Sequence, residues 1–336
     1  MRNSIRQLWG IIGVEGPVML FVVCGLLLGE LAMRAGDAQL SKDVAHLKSF
    51  DWLAHRLEET AQHPSVLFLG NSMTRFGVAQ GAFEDEFASR TGEVPLTVKM
   101  NPDNSSLSDW YYLYNNFIHD EDLKPDLMVV GFQGDHLRDQ PPNHPGRLAQ
   151  YYCDLNDWPD LCKYDLPTFE DRASFALASL SSLYGNHDRP QTRLFDALIP
   201  HYRDGVQQLI DRVNAHSLAP RPQPTYHRLK EFLKHVGEQK VELVMVAMPI
   251  AAEYELDPEL LKILRESGVT LVDCRHVPGI VPAMFPDGIH MSADASELYS
   301  RYLADALADP RLAKRAAAQH ATALGPALRS APELAF

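Results

Sequence analysis

The chain has 336 residues, of which 46% are hydrophobic and 22% are charged, and its formal net charge at pH 7 is −13. A chain of this length and composition buries a sizeable hydrophobic core, which excludes an intrinsically disordered protein. The acidic balance excludes a nucleic-acid partner, because binding to a phosphate backbone requires a basic surface.

The first predicted element is an apolar helix within residues 1–34. Residues 8–33 read LWGIIGVEGPVMLFVVCGLLLGELAM, and about 20 mainly apolar residues suffice to cross a membrane. Arg2 and Arg6 precede the segment and no acidic residue does, so the positive-inside rule places the short tail in the cytoplasm. We therefore expect an uncleaved single-pass anchor in the cytoplasmic (inner) membrane, with the rest of the chain extracytoplasmic, in the periplasm. A cleaved signal peptide, whose apolar region is usually shorter, and a buried core helix are the alternatives.

A helical stalk is predicted over 35–63. Ser41 is a candidate N-cap for a helix that runs to about Gln62, within which apolar residues recur at helical spacing. At the other end of the chain, residues 311–336 are rich in alanine and show little patterning. This tail is predicted to be a weakly held helix or disordered.

Residues 64–310 alternate short apolar runs with helical patterns. The apolar runs lie at 65–70, 95–100, 126–132, 241–248 and 269–273, and the helical patterns at 79–90, 106–119, 225–238, 257–267 and 292–307. Near-continuous apolar strands separated by helices are typical of a parallel sheet covered on both faces. With right-handed crossovers, the pattern predicts an α/β fold, a three-layer α/β/α sandwich around a five-stranded parallel sheet.

Residues 137–224 interrupt this alternation. The segment is rich in proline, tyrosine and histidine and fits no strand–helix unit, so we expect an insertion that partly covers the site. Within it, Cys153 and Cys162 bracket the loop CDLNDWPDLC and could close a disulfide outside the cytosol. Two unbridged thiols are the alternative.

The stretch VLFLGNSMTRFGV places Ser72 directly after the first apolar strand. Ligands of open parallel sheets bind at the carboxyl ends of the strands, so Ser72 is expected at the mouth of a site. Gly70 allows a tight exit from the strand, and the N–H groups at the start of the next helix can face a developing oxyanion. The alternative is that Ser72 only caps that helix.

A second candidate region follows the last predicted strand, in FPDGIHMSADASELYSRYLADAL. A serine hydroxyl is a weak nucleophile that needs a positioned base, and the imidazolium that then forms needs a carboxylate. We expect Ser72 to act as nucleophile, His290 as base and Asp287 as the group that orients the imidazole. In the alternative, Asp287 only caps a turn at Gly288 and His290 is an ordinary residue near a helix start.

These residues and the strand order resemble the SGNH or GDSL hydrolase superfamily. The sequence GNSMT around Ser72 is similar to the Gly-Asp-Ser block, with Asn71 in place of the aspartate, and DGIH is similar to the final Asp-x-x-His block. The resemblance covers about 64–136 and 240–308. It implies a flavodoxin-like α/β fold and a serine that acts on ester bonds without a metal or cofactor.

The two middle blocks of the family match less well. The family presents a glycine N–H to the oxyanion after the second strand, where NPDNSSLSDWYYL places Asn104 or Ser105. Its third block, Gly-x-Asn-Asp, lends an asparagine side chain, whereas this chain reads VVGFQGDHLRD, so that Gln133 or Asp135 would substitute, or His136 would supply a donor. An ionised aspartate repels an oxyanion, and one donor is worth about 10²–10³ in kcat. This departure from the family's third block predicts slower or different chemistry. In the alternative, the segment is a loop at the end of a strand with no catalytic role.

An anchored, outward-facing chain of this kind most resembles proteins that add acyl groups to cell-envelope polymers, in alginate acetylation and teichoic-acid D-alanylation. The resemblance implies an acyl-Ser72 intermediate, a polysaccharide acceptor and a multi-pass membrane O-acyltransferase as partner. Three hypotheses follow: an O-acyltransferase, an esterase that transfers the acyl group to water, and a catalytically silent scaffold.

Other sites find less support in the sequence. The G-x-S-x-G elbow of α/β-hydrolases is excluded because Thr74 occupies the last glycine position. No Walker A or G-x-G-x-x-G motif follows a strand, and the histidines lack metal-ligand spacing. An aromatic group after the second strand is open to two interpretations, a sugar-stacking patch or core packing; it comprises Trp110, Tyr111, Tyr112 and Tyr114.

Overall fold

The computed structural model describes residues 2–40, 42–60, 64–202, 205–206 and 223–308. The predicted tail, 311–336, and the candidate N-cap Ser41 lie outside the described residues. The chain divides into two compact units. The first comprises 1–45, 145–158 and 167–221, and the second comprises 46–144, 159–166 and 222–336.

A five-stranded parallel sheet forms the centre of the second unit. Its strands are β1 (Ser65–Leu69), β2 (Leu96–Met100), β3 (Leu127–Phe132), β4 (Glu242–Ala247) and β5 (Thr270–Asp273), in the order β2-β1-β3-β4-β5. Each strand begins and ends within one residue of its predicted bounds. The predicted α/β fold, with helices on both faces of the sheet, is confirmed.

Fourteen helices are labelled in chain order among the described residues. They are α1 (Arg2–Leu40), α2 (Lys42–Leu47), α3 (Phe50–His55), α4 (Ser72–Gly77), α5 (Gln80–Thr91), α6 (Leu107–Tyr114), α7 (Pro145–Arg147), α8 (Trp158–Asp160), α9 (Phe169–Leu180), α10 (Ser182–Gly185), α11 (Asp188–Leu198), α12 (His227–Gln239), α13 (Pro258–Glu266) and α14 (Ala293–Ala308). Short π-helical segments extend α6, α7 and α8, and 3-10 turns lie at Arg56–Thr60, Gly134–Leu137 and Pro282–Met284.

Burial on both faces explains why the strands read as apolar runs. All five residues of β1 are buried. Phe68 on β1 meets Phe83 of α5 edge-to-face, with 5.0 Å between the ring centroids. The same buried cluster includes Tyr299 of α14, so α5 and α14 together cover this face of the sheet.

The prediction of one continuous stalk helix is wrong. The structure divides the segment into α2, α3 and the 3-10 turn Arg56–Thr60. Between α2 and α3 the Ser49 hydroxyl donates to the carbonyl of His46 at 2.6 Å, which stabilises a turn. The turn allows the next helix to bury Phe50 and Ala54.

The first unit contains α1 and most of the predicted insertion. Residues Gly16–Gln39 of α1 are long and apolar enough to cross a membrane, and none of the large apolar side chains from Val18 to Leu31 is buried. That exposure contradicts the buried-core interpretation of this helix. The described residues of the insertion form helices and irregular segments. Cys153 and Cys162 are both thiols in the structure, so the bridge that the sequence allowed is not formed there.

Candidate active site

The turn after β1 has room only for glycine at position 70. Gly70 has φ +152°, and a Cβ there would lie 2.1 Å from Thr74 Oγ1 and 2.9 Å from the carbonyl oxygen of Gly131. The chain therefore leaves β1 through a close contact with β3 and enters α4 two residues later. This local constraint places Ser72 at the carboxyl edge of the sheet, as the first residue of α4.

The helix-capping role falls to Asn71. Its side-chain Oδ1 accepts a hydrogen bond from the N–H of Met73 at 2.9 Å, the geometry of an N-cap. The interpretation in which Ser72 only caps this helix is therefore wrong. The cap leaves the Ser72 hydroxyl available for another contact.

Ser72, His290 and Asp287 form a continuous hydrogen-bonded row. Ser72 Oγ lies 2.8 Å from His290 Nε2, and His290 Nδ1 lies 2.6 Å from Asp287 Oδ2. Because an ionised carboxylate only accepts hydrogen bonds, the Nδ1–H donates to Asp287. Nε2 of the neutral ring is then the acceptor for the Ser72 hydroxyl, which is the arrangement that a general base requires.

The Asp287 carboxylate is fixed by its own loop. Its Oδ1 accepts the N–H groups of His290 and Ile289 at 2.7 and 3.0 Å. Together with the His290 ring, these donors lower the pKa of Asp287 to about 2, the His290 N–H contributing most. The carboxylate is therefore ionised throughout the neutral range, as the partner of an imidazolium must be.

Neighbouring loops hold the His290 segment in place. The N–H of Ala251, in the loop after β4, donates to the carbonyl of Gly288 at 3.1 Å. The N–H of Ser292 donates to the carbonyl of Met284 at 2.8 Å. On the Ser72 side, the ring of Phe76 meets the His290 ring edge-on, with centroids 5.9 Å apart.

The two candidates after β2 have different environments. Ser105 is buried, and its hydroxyl donates to the carbonyl of Pro102 at 2.7 Å and accepts from the indole N–H of Trp110 at 2.9 Å. Asn104 is exposed, has φ +49°, and its Nδ2 lies 3.1 Å from His144 Nε2. The carbonyl oxygen of Ser105 accepts from Asn71 Nδ2 at 3.3 Å. The structure thus brings Ser105, rather than the Asn104 side chain, against the Ser72 turn.

The loop after β3 directs its two titratable groups to opposite sides. Asp135 forms an ion pair with Arg138 and is exposed. His136 lies against the Ser72 turn: Asn71 Nδ2 is 3.4 Å from each of its ring nitrogens. The order of the sheet explains this contact, because β1 and β3 are the neighbours at which the strand order reverses, the place where such sheets bind ligands.

His136 is neutral at pH 7. Burial lowers its pKa to about 4, and only the nearby Asp135 opposes this shift. Nδ1 accepts the N–H of Gln133 at 3.2 Å, so the proton of the neutral ring resides on Nε2. The loop therefore supplies a neutral N–H donor beside the Ser72 turn and keeps the Asp135 carboxylate paired elsewhere.

Two contacts of α4 had no counterpart in the sequence analysis. Lys99 on β2 donates from Nζ to the carbonyls of Arg75 and Val78, at 3.0 and 2.6 Å, at the carboxyl end of α4. Burial, and next the charge of Arg75, lower the pKa of Lys99 to about 8. Arg75 in turn bridges to Asp103 at 3.1 Å. A lysine inside the apolar run PLTVKM was the only signal of this contact.

The aromatic group on α6 belongs to the core. Its four side chains, Trp110, Tyr111, Tyr112 and Tyr114, are at most 4% exposed. The Tyr112 hydroxyl donates to Asp165 at 2.7 Å. The sugar-stacking interpretation is therefore wrong, and core packing is confirmed. Within the described part of the chain, no group of three His, Cys, Asp or Glu side chains is arranged to hold a metal ion.

Comparisons with known proteins found only remote structural likenesses. No protein-family model matches the chain, and no curated protein does. An acetylxylan esterase from Geobacillus stearothermophilus is 14% identical with a TM-score of 0.37, covering 73% of this chain and 93% of its own. The acetyl xylan esterase AlAXEase is 12% identical with a TM-score of 0.34 (72% and 97% covered), and an alpha/beta hydrolase from the metagenome of Lake Arreo, Spain, is 12% identical with a TM-score of 0.35 (73% and 94% covered). These scores are too low to support an inference about this chain.

Proposed function

We propose that the chain is a serine-dependent enzyme that transfers acyl groups from ester bonds through an acyl-Ser72 intermediate. The observation that carries the proposal is the row from Ser72 Oγ through His290 to Asp287, at 2.8 and 2.6 Å. A capping serine, a turn aspartate and a surface histidine have no physical reason to align in this way. A nucleophile, its base and the carboxylate that orients the base do.

In the first half of the reaction, Ser72 Oγ attacks the carbonyl carbon of the donor ester while His290 Nε2 takes the hydroxyl proton. Asp287 stabilises the imidazolium that results. The tetrahedral intermediate then breaks its bond to the leaving oxygen, which receives the proton from His290. The products are acyl-Ser72 and the free alcohol of the donor.

In the second half, an acceptor hydroxyl attacks the acyl-Ser72 carbonyl. His290 takes the proton of the acceptor and returns it to Ser72 Oγ as the acyl bond breaks. The acceptor leaves as a new ester when it is a sugar hydroxyl, or as the free acid when it is water. His290 therefore acts as a base and then as an acid in each half-reaction. Its protonation state at the end of each half is the same as at the start.

For the oxyanion hole, we assign the N–H of Ser72 at the start of α4, the N–H of Ser105 and the Nε2–H of His136. The neutral state of His136, and the hydrogen bond from the Gln133 N–H to Nδ1 that leaves the ring proton on Nε2, support this assignment. Gln133 and Asp135 are less suitable, because the Gln133 side chain forms a capping box with His136 and Asp135 is an acceptor paired with Arg138. A neutral donor avoids the repulsion that the Asp135 carboxylate would cause.

As the acceptor we propose a hydroxyl of a cell-envelope polysaccharide or exopolysaccharide, and as the acyl group acetyl. The apolar exposed helix Gly16–Gln39 supports a single-pass anchor, and the positive residues before it favour an extracytoplasmic sheet domain. Activated acyl donors are cytoplasmic, so a multi-pass membrane O-acyltransferase is the partner that this arrangement requires. The chain would be an SGNH-type enzyme.

Hydrolysis is the second candidate, and one observation favours it. The side chains of Asp287 and His290 are 56% and 34% exposed. Water can therefore reach the acyl-enzyme, and it would compete with a sugar hydroxyl for the acyl group.

The decisive experiment is mass spectrometry of the detergent-solubilised full chain after exposure to an activated acetyl ester. We expect one acetyl adduct on the peptide that contains Ser72, absent in Ser72→Ala and still present in Ser89→Ala, a control at an exposed serine of α5. Repeating the reaction with an oligosaccharide separates transfer from hydrolysis by the ratio of acetylated sugar to acetate. Equal adducts in Ser72→Ala and the unmodified chain would support the scaffold hypothesis instead.

A further inference from the structure

Helix α9, in the first unit, carries two apolar faces. One face is buried and contains Phe175 and Ala178. On the other, Phe169, Leu177 and Leu180 are 86%, 51% and 76% exposed. With 3.6 residues per turn, the exposed apolar positions fall in one stripe about 100° wide. This α9 stripe comprises Phe169, Ala173, Ala176, Leu177 and Leu180.

The carboxyl end of α9 is bonded to α1. Glu30 of α1 accepts the N–H groups of Ser182 and Leu183 at 2.9 and 3.0 Å and the hydroxyl of Ser181 at 2.8 Å. Arg34, one turn further along α1, donates to the carbonyl of Leu180 at 3.1 Å. Two residues of α1 and four residues at or just after the end of α9 thus form one polar joint within the first unit.

The packing around this joint is close. A Cβ built on Gly29 would lie 3.2 Å from a methyl group of Leu183. The Nε of Arg34 also pairs with Glu30 at 2.6 Å, so the charge of Glu30 is balanced within α1 itself. The only acidic group between Gly16 and Leu31 is therefore fully engaged by this joint.

The joint marks a depth along the anchor. A bilayer core about 30 Å thick takes about 20 helical residues, and the segment of α1 long and apolar enough to cross it is Gly16–Gln39. Glu30 and Arg34 lie in the second half of that segment, toward its outer end. The end of α9, bonded to these two residues, lies at the same level.

We infer that the α9 stripe rests in the outer interfacial layer of the membrane, in contact with lipid. The inference rests on the membrane anchor of the proposed function. A helix that exposes an apolar stripe next to a membrane buries that stripe at the boundary of headgroups and acyl chains. Exposed apolar area of this kind otherwise marks a binding surface. The partner assigned here is lipid, because the end of α9 is hydrogen-bonded to Glu30 and Arg34, which lie within the apolar segment of α1 that forms the proposed anchor.

The inference predicts that the insertion provides a second membrane contact beside the anchor. A single helix can tilt and rotate in a bilayer, whereas a helix joined to an interfacial helix has its rotation fixed. The first unit would thereby present a defined face to the membrane.

Photo-crosslinking of the full chain in nanodiscs of phosphatidylethanolamine and phosphatidylglycerol tests the inference. The amino acid p-benzoylphenylalanine replaces Leu180 in one variant, Phe21 in a second and Val94 in a third, and lipid adducts are measured by mass spectrometry. Phe21 reports the anchor, and Val94 is a comparably exposed apolar residue of the second unit that is not part of the stripe. We expect lipid adducts at position 180 several-fold above those at position 94.

Each outcome decides one question. Adducts at position 21 without an excess at position 180 over position 94 overturn the interfacial contact and leave the anchor intact. Absence of adducts at position 21 overturns the anchor, and the inference with it. A crosslink from position 180 to protein in place of lipid shows that the stripe is a protein interface and overturns the assignment of lipid.

Discussion

The turn after β1 and the loop after β3 lie side by side at the carboxyl edge of the sheet, yet their side chains are fixed in different ways. In the turn, each role follows from neighbouring residues: Gly70 has no room for a Cβ, and Asn71 caps the helix that Ser72 begins. In the loop, His136 is held by a distant contact with Asn71, whereas Asp135 pairs with Arg138, three positions further along the chain. Local chemistry therefore singles out Ser72 as a candidate nucleophile, whereas tertiary contacts alone bring His136 beside it.

The largest expected effect is at the nucleophile. Ser72→Ala is expected to lower kcat on an activated acetyl ester by at least about 10⁴-fold, because only binding and the oxyanion donors remain. Steady-state kinetics of the solubilised full chain measure this loss, with Ser89→Ala as the control. Retention of more than a tenth of the activity contradicts the assignment of Ser72.

The next effect compares the two titratable groups of the β3 loop. His136→Phe removes the proposed donor and is expected to lower kcat by about 10²–10³-fold. Asp135→Asn is expected to change kcat less than threefold, because that carboxylate is exposed and turned to Arg138. Measured kcat values and melting temperatures of both variants check this difference. His136→Gln, which retains a hydrogen-bond donor, should lose less activity than His136→Phe. Equal losses of kcat in Asp135→Asn and His136→Phe would contradict the assignment.

The turn after β1 is tested by steric substitution. Gly70→Ala places a methyl group against Thr74 and the backbone of Gly131, and we expect a loss of about 2–4 kcal/mol in the free energy of unfolding. Gly81→Ala on α5 is the matched control, since nothing lies within 4 Å of a Cβ there and alanine favours the helix by about 0.5–1 kcal/mol. Urea unfolding of the two variants measures the contrast. Equal free energies of unfolding in Gly70→Ala and Gly81→Ala would show that the turn has room for a side chain at position 70.

The smallest effect concerns stability and pH. The folded protein holds the pKa of His136 at about 4, against about 6.5 for an ordinary histidine, so the unfolded chain binds more protons between these values and stability falls as pH falls through that window. This group makes the protein about 2 kcal/mol less stable at pH 5 than at pH 7. Urea unfolding at both pH values should show a smaller pH dependence for His136→Phe. If the change in the free energy of unfolding between pH 7 and pH 5 is the same in His136→Phe as in the unmodified chain, other groups cause it.

Much of the sheet and part of the site follow from sequence pattern. The strands are apolar on both faces, which is why their bounds were predicted within one residue. Ser72, Asp287 and His290 were identified by residue type and by position after strands, and the structure places them within hydrogen-bond distance. The catalytic roles themselves stay a proposal.

Contacts between distant segments set the limit of prediction from sequence. The break between α2 and α3 depends on where Phe50 is buried, and periodicity alone continues the helix. The burial of His136 against the Ser72 turn depends on tertiary contacts that no local pattern encodes. The same is true of Lys99, whose contacts with the end of α4 join β2 to a segment more than 20 residues away.

Helix α14, near the carboxyl end of the described residues, contacts the segment that follows Ser72. The Ser296 hydroxyl of α14 donates to the carbonyl of Phe76, and the Ser300 hydroxyl accepts the N–H of Ala79. Helix α14 is therefore hydrogen-bonded to the end of α4, the helix that begins with Ser72, and to the residue before α5. Ser72 and His290 are 218 positions apart. A nascent chain that emerges from its amino terminus therefore exposes the hydroxyl long before the imidazole exists. On the proposed function, Ser72 gains its base only after both segments have been synthesised and have folded together.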